Sequence, residues 1–249
     1  MTAIRDYQKD EILYIIIPAY NEQMNVQRLI NDWYPVIESS DDLADESRLV
    51  VIDDGSTDKT LSVLQSMAAD RPRLVVLTKD NGGHGDTLLY GYHYAIEQEA
   101  DWIFQTDSDG QTKADEFVDF WNNRKGFAAI LGYRKKRGDG IGRLFVEKTL
   151  CQLIWLYFRI KVPDANCPFR LMQAEKVGIY INQLPDHYNL PNVMLTVFFC
   201  RNKDRVLFRK ITFENRKAGK NSINIKKIIR IGLQALKDFS VFKKDMAQL

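Results

Sequence analysis

Asp107 and Asp109 stand two residues apart in the stretch Asp107-Ser108-Asp109-Gly110-Gln111, directly after the short apolar run from Ala100 to Thr106. Such a run reads as a buried parallel strand. Strand alternation sends both carboxylates to one side, where they can face one ligand. Two carboxylates at a strand's carboxyl end suit Mg²⁺ or Mn²⁺ bound together with substrate phosphates, because Mg²⁺ takes most of its ligands from phosphate and water oxygens. Gln111 can add a neutral oxygen. The plainer alternative is a polar loop that caps the next helix through Asp109 or Thr112.

Three further polar stretches, the last two punctuated by glycine, follow short apolar runs: Pro18-Ala19-Tyr20-Asn21-Glu22, Asp53-Asp54-Gly55-Ser56-Thr57-Asp58 and Asn81-Gly82-Gly83-His84-Gly85. Asp53 and Asp54 can accept hydrogen bonds from a nucleotide's base or ribose. Gly55 permits a tight turn before a helix whose amino end favours anions. An Asx turn with an N-cap is the competing account of that loop. Asn81 to Gly85 can bring backbone N–H groups close to a diphosphate or sugar. Neither G-x-G-x-x-G nor G-x-x-x-x-G-K-[ST] occurs, which argues against a dinucleotide fold and a P-loop NTPase.

Alternating apolar runs and helical patterns must position these loops, and they imply βαβ units with a parallel sheet. Strands are expected at Ile12 to Ile17, Arg48 to Ile52, Leu74 to Leu77, 100–106, Ala128 to Gly132 and Val206 to Phe213. Helices are expected around Val26 to Trp33, after a Ser56 or Thr57 cap, from Thr87 to Gln98, from Leu144 to Ile160 and over 223–242. The fold class is therefore α/β, a Rossmann-like, mostly parallel twisted sheet with helices on both faces. In such sheets ligands bind beyond the carboxyl ends of the strands, where all four polar stretches fall.

The four loops, in this order and spacing, resemble family 2 glycosyltransferases of the GT-A fold, and within them the polyprenyl-phosphate hexose synthases. The likeness runs over roughly residues 12–222. It extends to Gly132-Tyr133-Arg134, Arg143, Phe169-Arg170-Leu171 and Arg216-x-x-Gly219-x-x-Ser222. The resemblance implies that Pro18, Tyr20, Asn21, Glu22, Asp53, Asp54 and Gly55, joined by Asn81 and Gly85, hold a UDP- or GDP-linked sugar. It implies that Asp107, Asp109 and Gln111 hold the Mg²⁺ or Mn²⁺. Arg134, Arg143, Arg170, Arg216 and Ser222 would face an acceptor phosphate, with Arg134 and Arg143 also meeting charge that develops in the reaction. An arginine fork matches phosphate oxygens bidentately and keeps its charge at any working pH. A solvated basic loop is the alternative for Arg134-Lys135-Lys136-Arg137, and an ion pair with Asp164 the alternative for Arg170. The implied reaction is inverting transfer of a hexose to a polyprenyl phosphate.

A hydroxyl acceptor needs a general base, whereas a phosphate monoester is already anionic. No carboxylate occurs between Asp186 and Asp204. This favours a phosphate acceptor, with Asp164 and Asp186 still open as bases. Two other functions remain: the same donor chemistry on a hydroxyl of a lipid-linked glycan or polysaccharide precursor, and a catalytically disabled GT-A binding protein.

Residues 201–249 carry 14 Lys/Arg against 4 Asp/Glu, although the whole chain of 249 residues nets only +2. A basic end on an acidic body suggests an anionic partner. Over 223–242 Ile225, Ile228, Ile229, Gly232, Leu236 and Phe239 share one helical face, with Lys226, Lys227, Arg230 and Lys237 opposite. Such a helix can lie on an anionic membrane, meet a small membrane protein, or pack on its own domain. The expected organisation is a catalytic domain over 1–222 and a basic amphipathic helix or tail over 223–249. No apolar run reaches the roughly 18 residues of a membrane span, and the amino end lacks a signal-peptide core. Cys151, Cys167 and Cys200 read as reduced thiols, and His84, His93 and His187 are too scattered for zinc. The expectation is a cytoplasmic protein peripheral to the membrane, with no nucleic-acid partner.

Overall fold

The computed structural model describes residues 11–38, 43–134, 141–215 and 234–243, the side chains of 141–145 excepted. Seven strands form its sheet: β1 (Leu13–Ala19), β2 (Arg48–Asp53), β3 (Leu74–Thr78), β4 (Trp102–Thr106), β5 (Ala129–Arg134), β6 (Phe169–Gln173) and β7 (Val206–Ile211). They lie in the order β3-β2-β1-β4-β6-β5-β7. β1, β2, β3 and β4 pair in parallel, as do β5 and β7. β6 runs antiparallel between β4 and β5, so the other six strands share one direction and one carboxyl edge.

β1 is apolar without a break because both faces of it are covered. Leu13, Ile15 and Ile17 meet α1 (Val26–Glu38), α2 (Thr60–Ala68) and α4 (Phe117–Asn122) on one side. Tyr14 and Ile16 meet α3 (His84–Glu97), α6 (Ala174–Ile181) and α7 (Pro191–Arg201) on the other. α3 approaches closely: a Cβ on Gly91 would stand 2.5 Å from Ile16 Cγ2 and 2.6 Å from Ile52 Cδ1. α5 (Ile141–Phe158) and a last helix, α8 (234–243), complete this second layer.

The six expected strands are present within two residues at most ends. β6, α6 and α7 were not among the expectations, and β6 is the strand that breaks the parallel run. The expected helix over 223–242 falls partly outside the described residues. Its described part, α8, packs inward: Phe239 lies 5.4 Å from Phe158 and 5.9 Å from Tyr157, and Phe242 lies 5.8 Å from Tyr188, all between ring centroids.

Candidate active site

The loops after β1 and β2 are stitched together. Asn21, in the left-handed region at φ 54°, donates its N–H to Ser56 Oγ at 2.9 Å and accepts the Thr57 N–H at 2.9 Å. Glu22 is buried, and its N–H reaches Thr60 Oγ1 at 2.8 Å. Ser56 and Thr57 therefore bind the neighbouring loop and do not cap α2; the Asp58 carboxylate accepts the Thr60 N–H instead, at 2.9 Å. Pro18 is buried within β1, and Tyr20 is 40% exposed beside it.

Asp53 and Asp54 diverge. Asp53, 1% exposed, accepts the Ser56 N–H and the Thr78 hydroxyl on Oδ2, at 3.2 and 3.3 Å, while its buried Oδ1 has no partner. Such an orphaned acceptor carries a desolvation cost that a ligand's N–H or O–H would relieve. Asp54 instead fastens the glycine loop. It accepts the Gly82 N–H, the Gly83 N–H and Lys79 Nζ, each at 2.9 Å, and its carbonyl takes the Asn81 side-chain amide at 2.9 Å. Gly55 at φ +66° is obligatory, since a Cβ there would also stand 2.9 Å from Asn81 N. Gly85 makes room for a backbone, as its Cβ would fall 2.4 Å from Tyr188 O.

After β4, Asp107 and Asp109 are half-buried. Asp109 Oδ1 accepts the Gln111 N–H at 3.1 Å, and the Thr106 and Thr112 hydroxyls bond at 2.7 Å, closing the loop. Neither Asp109 nor Thr112 caps the following helix, so the plainer account of this loop fails. Gln111 Nε2 donates to Glu214 O at 2.7 Å, tying the chain beyond β7 to the same loop. Gln105 Nε2 donates to Asp107 Oδ1 at 3.2 Å, and His84 Nε2 lies 3.7 Å from that oxygen.

The donor set fits a hard cation: two carboxylates and an amide oxygen on one loop, with no group of three or more His, Cys, Asp or Glu gathered for a metal among the described residues. A zinc site would need more protein ligands, while Mg²⁺ or Mn²⁺ completes its shell with phosphate and water.

Residues 14–178 match the family model described as glycosyl transferase family 2. The chain belongs to that family. A dolichyl-phosphate beta-glucosyltransferase of Trichomonas vaginalis is 26% identical over 185 residues, covering 69% of this chain and 56% of the relative. An undecaprenyl-phosphate 4-deoxy-4-formamido-L-arabinose transferase of Shewanella sediminis is 24% identical over 173 residues, covering 68% and 50%. The chain thus spans about half the length of these curated relatives. Among solved structures, glucosyl-3-phosphoglycerate synthase from Mycobacterium tuberculosis with Mn²⁺ and UDP-glucose superposes with a TM-score of 0.65 at 17% identity, over 92% of this chain and 79% of that one. That likeness shows the GT-A fold.

Against this family 2 frame, several expected site residues take other places. Arg134 is turned inward: its Nε and Nη2 bond Asp164 at 2.7 and 3.0 Å, Nη2 also bonds Asn166 O at 3.2 Å, and Glu147 lies 3.7 Å away. The ion pair with Asp164 is thus made by Arg134 and not by Arg170, and both expected phosphate and base roles give way to a buried pair. Arg170 is 1% exposed and bonds Asn192 O at 2.6 Å and Thr196 Oγ1 at 2.5 Å, where no acceptor phosphate can reach. Asp54, Asn81 and Gly85, expected to hold the donor, are engaged in holding the loops together. Arg143 lies in the first turn of α5, its side chain outside the description, and Arg216 and Ser222 lie outside the described residues. Sequence reasoning missed Gln105, Asn192 and Lys79; Gln105 and Asn192 were signalled only as polar residues beside apolar runs, and Lys79, in the polar stretch after Leu77, by nothing.

Proposed function

We propose that this family 2 chain is a metal-dependent, inverting glycosyltransferase that moves a hexose from a UDP- or GDP-linked sugar to a polyprenyl phosphate. One observation carries the reading. The unpartnered Asp53 oxygen at the end of β2 and the Asp107/Asp109 pair beyond β4 stand at one edge, with only β1 between their strands. Two inter-strand steps make roughly 10 Å, about the span from a nucleoside to its diphosphate. Asp53 then accepts from the base or ribose, and Asn21 and Glu22 hold that loop in shape. Asp107, Asp109 and Gln111 hold the Mg²⁺ or Mn²⁺, which as a Lewis acid offsets the charge on the departing diphosphate. The Mn²⁺ and UDP-sugar of the solved M. tuberculosis relative support this donor side.

The relatives named for dolichyl and undecaprenyl phosphate support the acceptor. So does the absence of a carboxylate between Asp186 and Asp204, since an anionic phosphate oxygen attacks without a base. Arg143, Arg216 and Ser222 are the acceptor-phosphate candidates that the structure leaves open. A hydroxyl acceptor is the second reading, favoured by the phosphoglycerate glycosyltransferases among the fold relatives. In this proposal residues 1–222 are the catalytic domain, and the basic segment 223–249 brings it to the cytosolic face of an anionic membrane, or to a small membrane protein. No helix among the described residues is long and apolar enough to cross a membrane.

The test incubates the protein with Mn²⁺, radiolabelled UDP- and GDP-sugars, and undecaprenyl or dolichyl phosphate. Label should enter the lipid phase and vanish in Asp109→Ala. Label confined to water-soluble products supports the hydroxyl reading, and turnover unaffected by Asp109→Ala removes the metal site.

A further inference from the structure

The polar residues behind the β4 loop form one continuous chain. Tyr92 of α3 donates its hydroxyl to Asn192 Oδ1 at 3.0 Å, Asn192 Nδ2 donates to Gln105 Oε1 at 3.0 Å, and Gln105 Nε2 donates to Asp107 Oδ1 at 3.2 Å. Tyr92, Gln105 and Asn192 are buried among apolar side chains of α3, α7 and the sheet. Arg170 stands beside the chain, opposite Gln105 in the β4–β6 register, and holds the first two turns of α7 through Asn192 O and Thr196 Oγ1. Among the described residues no carboxylate lies within ion-pair distance of Arg170, and its Nε has no partner.

Burying an unpaired guanidinium and two amides is unfavourable, and apolar side chains would fill the same space at less cost. What the polar residues add is direction. A carboxylate only accepts, so Gln105 must present Nε2 to Asp107; its Oε1 must then take Asn192 Nδ2, and Asn192 Oδ1 must take the Tyr92 hydroxyl. Each amide has one permitted orientation, and a satisfied buried network fixes side-chain position more firmly than apolar packing does.

We propose that Gln105, Asn192 and Tyr92 are positioning residues that fix the Asp107 carboxylate for the metal, with Arg170 bracing α7 so that Asn192 stays in line. The proposal rests on the metal reading of Asp107 and gives Arg170 a place in the site that does not require contact with the acceptor.

Asn192→Asp tests it with almost no change in volume. The new carboxylate cannot donate, so Gln105 must turn Nε2 toward it and present Oε1 to Asp107. The Mn²⁺ dissociation constant, read by electron paramagnetic resonance with UDP and separately with GDP, should rise about tenfold or more, the usual cost of losing an outer-shell partner. The affinity for metal-free nucleotide should not change, which a merely structural defect would not spare. Tyr92→Phe removes only the far hydroxyl and should weaken Mn²⁺ about fivefold. A folded Asn192→Asp protein with wild-type Mn²⁺ affinity overturns the proposal. If that variant does not fold, unchanged Mn²⁺ affinity in Tyr92→Phe overturns it. Should the wild-type protein bind no Mn²⁺ with either nucleotide, the metal reading itself falls and takes the proposal with it.

Discussion

Asp53 and Asp54 show how adjacent identical residues divide two tasks. Asp54 has both oxygens engaged by Lys79 and the Gly82 and Gly83 amides, and its work is to hold a loop. Asp53 keeps one buried oxygen without a partner. Replacing Asp53 by Asn should leave the Ser56 and Thr78 bonds on the remaining oxygen and put an NH₂ donor where an acceptor is wanted. Losing one such buried bond costs about 1–3 kcal/mol, or roughly 5- to 150-fold in affinity. The donor KM should therefore rise by about an order of magnitude or more, with kcat changed far less, because the contact is made equally in ground and transition states. The stabilisation of the protein by nucleotide in a melting experiment should shrink in parallel. An Asn variant with unaltered KM would leave Asp53 as a turn residue only.

At the scale of elements, Lys79 and Asp86 join parts that lie apart in sequence. Lys79 Nζ reaches Asp86 Oδ2 at 2.6 Å in the first turn of α3, and Asp86 Oδ1 meets His187 Nδ1 at 2.6 Å in the loop before α7. Burial pushes the Asp86 carboxyl up, but the hydrogen bonds and charges of Lys79 and His187 outweigh it and hold it below its ordinary 3.8. A depressed folded value means that the contribution to stability is complete above about pH 4 and is lost as pH falls through the folded value. Asp86→Asn should therefore flatten the acid side of the melting temperature against pH, below about pH 4, while lowering the plateau at neutral pH. A variant whose acid limb runs parallel to the wild type would remove Asp86 from this role. The same scale explains what the sequence disclosed. Strands buried on both faces are apolar runs, so β1, β2 and β4 were plain, and the edge strand β3, though only partly buried, still shows the unbroken run Leu74 to Leu77; the loops that end these strands were plain with them. β6 escaped because Arg170 interrupts its five residues, and a buried charge imitates a loop. α7 escaped because Pro191 to Phe199 are all buried, which leaves no amphipathic period to detect. Arg134 gave no sign of facing inward because its partner, Asp164, lies 30 residues away beyond α5.

The whole molecule is an acidic body with a basic end, and α8 complicates any simple account of that end. Phe239 and Phe242 are buried against Tyr157, Phe158, Tyr188 and Phe198, so the last helix is part of the core of the second layer. Deleting 223–249 would strip those rings of cover and cost stability whether or not the segment meets a membrane. Loss of vesicle binding in such a truncation would therefore prove little. The informative change removes charge and leaves α8 in place: Lys226, Lys227 and Arg230 to Ser together. Each basic residue near an anionic surface contributes about 1 kcal/mol, so the triple variant should bind phosphatidylserine-containing vesicles about 100-fold more weakly. Its melting temperature should stay within a degree or two of the wild type, because the packing of Phe239 and Phe242 is untouched. The attraction should also fall with salt over the range in which the Debye length shortens from about 10 Å to 3 Å. Flotation of the triple variant at wild-type strength, or wild-type binding indifferent to salt, would refute electrostatic docking and leave the basic end a solvated surface.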